Sequence, residues 1–163
     1  MMKKLCFVLL VFMLFVSTSL ASNTDQIYGA CSFYVAKDFF ELDASILGEV
    51  DGLKNKRLFA KENGDMIICG TMVQSDSPLY TNGGELFEYA NEVVKNFDLS
   101  KNIITFKKLD TNTPCITVVC EEDPLAYEFV FTQNEIYAFI LSSQDIYGLR
   151  SLTSQFNMTK VSD

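Results

Sequence analysis

The chain has 163 residues, with 13 lysines and arginines against 21 aspartates and glutamates, so its formal net charge at pH 7 is −8. A protein of that charge repels nucleic acid and anionic lipid surfaces, and neither is an expected partner. Histidine is absent. Most serine and cysteine hydrolases and most catalytic zinc sites depend on imidazole, so these classes are excluded as well.

The N-terminal segment has the order of a secretory signal peptide. Lys3 and Lys4 precede an apolar run over residues 5–16, and Ser19-Leu20-Ala21 offers small residues for cleavage. That run is shorter than the roughly 18 residues that a bilayer-spanning helix needs. Ser22 follows the cleavage point, whereas a lipid-anchored chain would begin with cysteine. We predict cleavage near Ala21 and a location outside the cytoplasm, either secreted or in the periplasm or cell envelope. Retention of the segment as an anchor is left open.

Residues 22–163 predict one α+β domain, because single domains commonly contain about 100–150 residues. Alternating apolar positions over residues 27–36 indicate a first strand. A capping-box spacing followed by apolar residues at helical intervals predicts a helix over residues 39–49.

A β-hairpin is predicted next. Two strand-like runs, Arg57–Lys61 and Met66–Val73, are separated by a segment that contains Asn63-Gly64. Asn-Gly accepts the positive φ angles of tight hairpin turns.

The polar stretch Ser75–Gly84 predicts a loop that joins the sheet to the next helix. A loop of this length could rim a pocket, and within it Tyr80 and Asp76 are the candidate binding residues. Tyrosine suits contact surfaces, and aspartate is favoured in turns.

The strongest helical pattern covers residues 85–97, where apolar residues three and four apart form one stripe. Four strands then follow with short turn-like separators, which makes neighbouring strands antiparallel. These strands are predicted over residues 103–109, 115–121, 125–132 and 136–142. A closing helix runs through residues 146–156, and residues 157–163 are expected to fray. The fold class is therefore α+β, an antiparallel sheet with flanking helices in an α/β/α sandwich.

Four cysteines follow the signal segment: Cys31, Cys69, Cys115 and Cys120. The last two share one predicted strand, where five residues place them roughly 16 Å apart on opposite faces. A disulfide needs Cα atoms within about 7 Å. Any disulfide would then join Cys31 or Cys69 to that strand, and the alternative is four buried free thiols. The spacing contains no CxxC, so a zinc or redox site is not expected.

Three stretches carry a resemblance to a known family: LFAKENGDMIICGTMV, ELFEYANEVVKNF and YAFILSSQDIYGLRSLTSQFNM. Together with the order of elements, they resemble the PsbP-like proteins, which include the extrinsic photosystem subunit and exported bacterial relatives of DcrB type. The resemblance implies an α/β/α sandwich and an exported accessory or binding protein without a catalytic site. It carries no family motif from which individual functional residues could be assigned.

The leading functional hypothesis is an exported, non-enzymatic binding or accessory domain that contacts a protein or a small apolar ligand. The alternative is a secreted interaction or inhibitor protein that acts at the cell envelope or on a host. A hydrolase based on carboxylates or a thiol is the third hypothesis. We predict no catalytic residues, no metal ligands and no cofactor, and the oligomeric state is left open.

Overall fold

The computed structural model describes residues 24–50, 52–72, 83–120 and 122–160. Within these ranges the chain forms strands and two α-helices, with one short 3-10 helix at Ala44–Leu47. In chain order the elements are β1 (Thr24–Tyr28), β2 (Cys31–Val35), β3 (Phe40–Leu42), β4 (Leu53–Ala60), β5 (Met66–Met72), α1 (Gly83–Val94), β6 (Asn102–Asp110), β7 (Thr113–Cys120), β8 (Leu125–Phe131), β9 (Ile136–Ser142), α2 (Ile146–Gln155) and β10 (Met158–Lys160).

A seven-stranded antiparallel sheet forms the centre, in the order β3-β4-β5-β9-β8-β7-β6. The predicted strand over residues 136–142 is β9, which lies between β5 and β8. Its apolar residues alternate between the two faces of the sheet: Phe139 and Leu141 point into one core, Ile136 and Ala138 into the other. β9 is therefore a central strand that is covered on both sides.

Each face of the large sheet has its own core. The helix-side core lies under α1, where Leu86 and Ala90 pack against the sheet. The mixed-layer core lies on the opposite face, under α2 and a small antiparallel sheet of order β1-β2-β10. The predicted α+β class, an antiparallel sheet flanked by helices, is confirmed. The small sheet is an addition that the sequence patterns did not indicate.

The N-terminal strand prediction was wrong in one respect. The predicted strand over residues 27–36 crosses the turn of a hairpin formed by β1 and β2, and this turn contains Gly29 with φ +57°. A side chain at Gly29 is also excluded by space, because a Cβ there would lie 2.2 Å from the ring of Tyr137. Strict alternation places Ile27 on the same face as Cys31, but Tyr28 pairs with Cys31 across the turn, so Tyr28 is buried and Ile27 is exposed.

The prediction that residues 157–163 fray is wrong for the described part of that segment. Met158–Lys160 forms β10, which pairs with β2 and places Met158 opposite Phe33. Met158 is buried in the mixed-layer core. Burial of this side chain and the pairing with β2 order a segment whose sequence is locally polar.

The predicted helix over residues 39–49 is also wrong. Phe40–Leu42 is an edge strand paired with β4, and only one 3-10 turn follows. Asp43 caps that turn by accepting a hydrogen bond from the Ser45 N–H at 2.9 Å, and Gly48 ends it with φ +62°. Pairing with β4 satisfies backbone groups that a helix would otherwise use, so tertiary pairing overrides the helical intervals.

The later elements agree with the prediction. The hairpin around Asn63-Gly64 is β4 and β5, the helix is α1, the four-stranded meander is β6 to β9, and the closing helix is α2. The Asp145 side chain caps α2 by accepting from the Gly148 N–H at 2.7 Å. The buried Asp65 carboxylate accepts from the Ser143 hydroxyl at 2.7 Å, which ties the hairpin to the segment before α2.

Candidate functional site

Among the described strands, β6 forms one edge of the large sheet and pairs within it only with β7. It has nine residues, whereas the opposite edge strand, β3, has three. The outer N–H and C=O groups of a long edge strand are a template on which another extended chain can pair. In the described ranges, no further strand lies beyond β6 in the order of the sheet.

Exposed apolar side chains are concentrated at this edge. Leu99, just before β6, is 70% exposed, Ile103 is 51% exposed and Phe106 is 43% exposed. Ile103 pairs with Val119 and Phe106 pairs with Ile116, so the two side chains lie on opposite faces of the sheet. We call the outer side of Asn102–Asp110 together with these three side chains the β6 edge. Apolar groups on both faces suit contact with an extended segment, whose own side chains also alternate.

Lysines surround these apolar groups. The Lys101 ammonium lies 3.1 Å from Glu122, and the Lys107 ammonium lies 3.7 Å from Glu128. The Lys108 ammonium lies 4.6 Å from the centre of the Phe87 ring, a cation–π contact with α1. Lysine on an edge strand discourages indiscriminate edge-to-edge pairing. The β6 edge thus combines apolar contact groups with charges that disfavour self-association of many copies.

The four cysteines have free thiols, so the disulfide-bonded alternative is not the state of this structure. Three of them are buried in the mixed-layer core: Cys31, Cys69 and Cys115. Burial raises the pKa of Cys31 and of Cys115 to about 12, and it raises that of Cys69 as well. A thiol nucleophile needs the opposite shift, toward thiolate at neutral pH. These three groups are packing residues, chemically inert in the folded protein.

Cys120 differs from the other three. It is half-buried at the end of β7, and burial, followed by the nearby Asp123 charge, raises its pKa. Cys115 belongs to the mixed-layer core, while even-numbered residues of β7 such as Ile116 and Val118 face the helix side. Cys120 shares their parity, so the prediction that Cys115 and Cys120 occupy opposite faces is confirmed.

A small cleft lies between β2, α2 and the large sheet. Its volume is about 10 Å³. Apolar and aromatic side chains line it together with one amide: Tyr34, Ala36, Phe39, Ile67, Leu152, Gln155 and Phe156. A space of this size holds at most about one water molecule, whereas pockets for small organic ligands measure roughly 300–1,000 Å³.

The predicted binding residues Tyr80 and Asp76 lie outside the described residues. In the described ranges, no group of three or more cysteine, aspartate or glutamate side chains could hold a metal ion. No described helix is long and apolar enough to cross a membrane.

Two features of the structure were not predicted from the sequence. The first is the β6 edge, whose sequence shows only that apolar residues and lysines share one strand. The second is Glu128, a buried carboxyl in β8. Its signal was a single charge inside the otherwise apolar run of that strand.

No family model matches this chain, and no curated protein matches it. Among solved structures, the chain is similar to the solution structure of cyanobacterial PsbP (CyanoP) from Synechocystis sp. PCC 6803. The two share 13% sequence identity with a TM-score of 0.45, and the match covers 89% of this chain and 98% of that one. That protein is a member of the family that the sequence resembles. The likeness concerns the fold, and no residue role or activity is assigned from it.

Proposed function

We propose that this protein is an exported, non-enzymatic accessory domain that binds a protein partner through the β6 edge. The observation that carries the proposal is the combination of a nine-residue open edge strand with exposed Leu99, Ile103 and Phe106. The described residues include six exposed large apolar side chains. These three are among them, and they fall within eight consecutive positions. Exposed apolar groups concentrated in one place are typical of contact surfaces rather than of chance.

The edge strand β6 favours a protein partner over a small apolar ligand held in the cleft between β2, α2 and the large sheet. A cleft of about 10 Å³ cannot enclose such a ligand without rearrangement of the surrounding side chains. An extended segment that pairs with β6 needs no cavity, because main-chain hydrogen bonds and alternate side chains supply the contacts. The exported state rests on the signal-like N-terminus and is tested separately, by N-terminal sequencing of the protein from the extracytoplasmic fraction. The expected first residue is Ser22.

The contact surface is tested by placing a photo-reactive amino acid at position 103 and expressing the protein in its native host. Ile27 is the matched control, because it is also an exposed isoleucine but belongs to β1 of the small sheet. We expect a defined covalent adduct from position 103 and none from position 27. Equal adducts from both positions would contradict the proposal.

Affinity provides the second measurement once the adduct has been identified. Ile103→Lys should weaken binding by about tenfold or more, since truncating or charging a central contact residue commonly costs over 1 kcal/mol. Ile27→Lys should leave affinity unchanged. The identity of the adduct also separates an accessory role at the cell envelope from an inhibitor that acts on a host. A partner of the same cell favours the first, and a host protein favours the second.

A further inference from the structure

Glu128 occupies an apolar position near the middle of β8. It is only 3% exposed, and its partners in register are Thr117 of β7 and Phe139 of β9. Ala126 and Val130, two residues away on either side, are fully buried in the mixed-layer core. A charged carboxylate in such surroundings is unfavourable unless other groups replace the water it has lost.

Lys107 supplies the compensating charge only in part. Its ammonium lies 3.7 Å from Glu128 Oε1, and its side chain is 49% exposed. That separation permits an ion pair but exceeds the about 2.7–3.2 Å of a direct N–H···O hydrogen bond. Thr117 stands beside the carboxyl in register, and its buried Oγ1 makes no hydrogen bond of normal geometry with any described residue. The protein therefore holds this carboxyl with few polar partners.

The surrounding groups act on Glu128 in opposite directions. Burial raises its pKa, while Lys107 and the nearby Thr117 hydroxyl lower it, and the net shift is upward. The same carboxyl also affects Cys115 of β7. Burial is the largest cause of the raised pKa of Cys115, and the charge of Glu128 is the next. Phe139 of β9 carries no charge. The small sheet and α2 contribute apolar side chains and the Cys31 thiol to this core. Lys160 of β10, in register with Cys31, is paired with Asp110 of β6 at 2.8 Å.

We propose that Glu128 and Lys107 form a proton-linked pair that makes the fold sensitive to mild acidity. Binding of one proton converts the buried carboxylate to a neutral carboxyl, which removes the cost of a buried charge. The same event frees the Lys107 ammonium to move into solvent beside β6. This inference does not depend on the proposed protein partner, because it concerns the folded chain alone.

The upward shift in the pKa of Glu128 determines how the stability of the fold depends on pH. In the unfolded chain a glutamate has a pKa of about 4.3. Below that pH both states are protonated, and the pair carries no penalty. Between that value and the raised pKa, the folded chain keeps a proton that the unfolded chain has released, so stability falls as pH rises. The loss amounts to at most about tenfold in the folding equilibrium constant per pH unit, and it is complete above the raised pKa.

The test compares Glu128→Gln with the wild-type protein by urea unfolding between pH 4.5 and 8. Glu88→Gln is the matched control, since Glu88 is an exposed glutamate on α1 and undergoes the same chemical change. We expect the folding constant of Glu128→Gln, relative to wild type, to grow with pH and then level off. The control should run parallel to wild type. A ratio that is independent of pH, or that falls as pH rises, would overturn the proposal.

A second measurement does not require the glutamine variant to fold. Carboxyl ¹³C NMR follows the titration of Glu128 in the folded wild-type protein, and Lys107→Met removes the ammonium while keeping an apolar stem. We expect a midpoint above that of an ordinary glutamate, and a further upward move in Lys107→Met. A Glu128 carboxyl that titrates at the ordinary value, or a midpoint unmoved by Lys107→Met, would refute the pair.

Discussion

Gly70 provides a direct test of how β4 and β5 pack. It lies opposite the bulge in β4, where the register skips between Lys54 and Arg57, and its φ is not in the left-handed region. Space is therefore the reason for glycine at this position. A Cβ there would lie 2.2 Å from Leu53 Cγ and within 2.7 Å of both Leu53 methyl carbons. Carbon atoms normally approach to about 3.5–4.0 Å, so Gly70→Ala forces the buried Leu53 side chain to move.

Two opposing effects set the size of the change. Adding a methyl group to a packed core costs about 1–3 kcal/mol, while replacing glycine with alanine gains about 0.4–1 kcal/mol by restricting the unfolded chain. The strain dominates, and we expect a net loss of about 1–2 kcal/mol in the free energy of unfolding. For a domain of this size that corresponds to a fall of about 2–8 °C in Tm.

The assay is a double-mutant cycle measured by urea unfolding. Leu53→Ala alone should cost about 2–5 kcal/mol, because it leaves a cavity in the helix-side core. In that background the three atoms nearest to the added methyl of Gly70→Ala are gone, so the second substitution should be neutral or slightly stabilising. Leu86→Ala is the control background: Leu86 is a buried leucine of the same core, but it is not among the nearest neighbours of the added Cβ. Gly70→Ala should keep its full cost there. An equal cost in both backgrounds would refute the packing described for Leu53.

Three further outcomes are expected. Under native conditions a thiol reagent should modify Cys120 first. It should reach the three buried cysteines, Cys31, Cys69 and Cys115, only after unfolding. Rapid modification of all four in the folded state would contradict the burial of these three. Ser143→Ala should lower the free energy of unfolding by about 1–3 kcal/mol, because it removes the hydroxyl donor to the buried Asp65 carboxylate. A urea midpoint equal to that of the wild-type protein would count against this hydrogen bond. The hydrogen bond from Lys160 lowers the pKa of Asp110 to about 2, so its stabilisation is present above about pH 4 and is lost as pH falls toward 2. Lys160→Gln should flatten this acid-side loss in a thermal scan, and an unchanged profile would show that the pair does not hold β10.

Local patterns predicted the elements from the β4–β5 hairpin to α2 well. Asn63-Gly64, the helical stripe of α1 and the short separators of β6 to β9 each specify their structure through neighbours in sequence. Turn geometry and side-chain periodicity depend on a few adjacent residues, which is why these elements are legible without tertiary information.

The segments before β4 and after α2 were harder to predict, because their structure depends on partners distant in sequence. Phe40–Leu42 is a strand because it pairs with β4, although the flanking intervals were helical. β10 is ordered because β2 pairs with it and the core buries Met158. Neither partner can be recognised from the segment itself.

The candidate surface and the proton-linked pair show the same division. The sequence by itself determined the acidic charge, the absence of histidine and the alternation that builds the large sheet. Only the tertiary structure decided that β6 lies at an edge, which leaves Ile103 and Phe106 exposed, and that Glu128 faces a covered side of the sheet. Alternation along a strand determines which residues share a face of the sheet. Strand order and the layers packed on the sheet determine what covers that face, and therefore whether a side chain contacts water or a core.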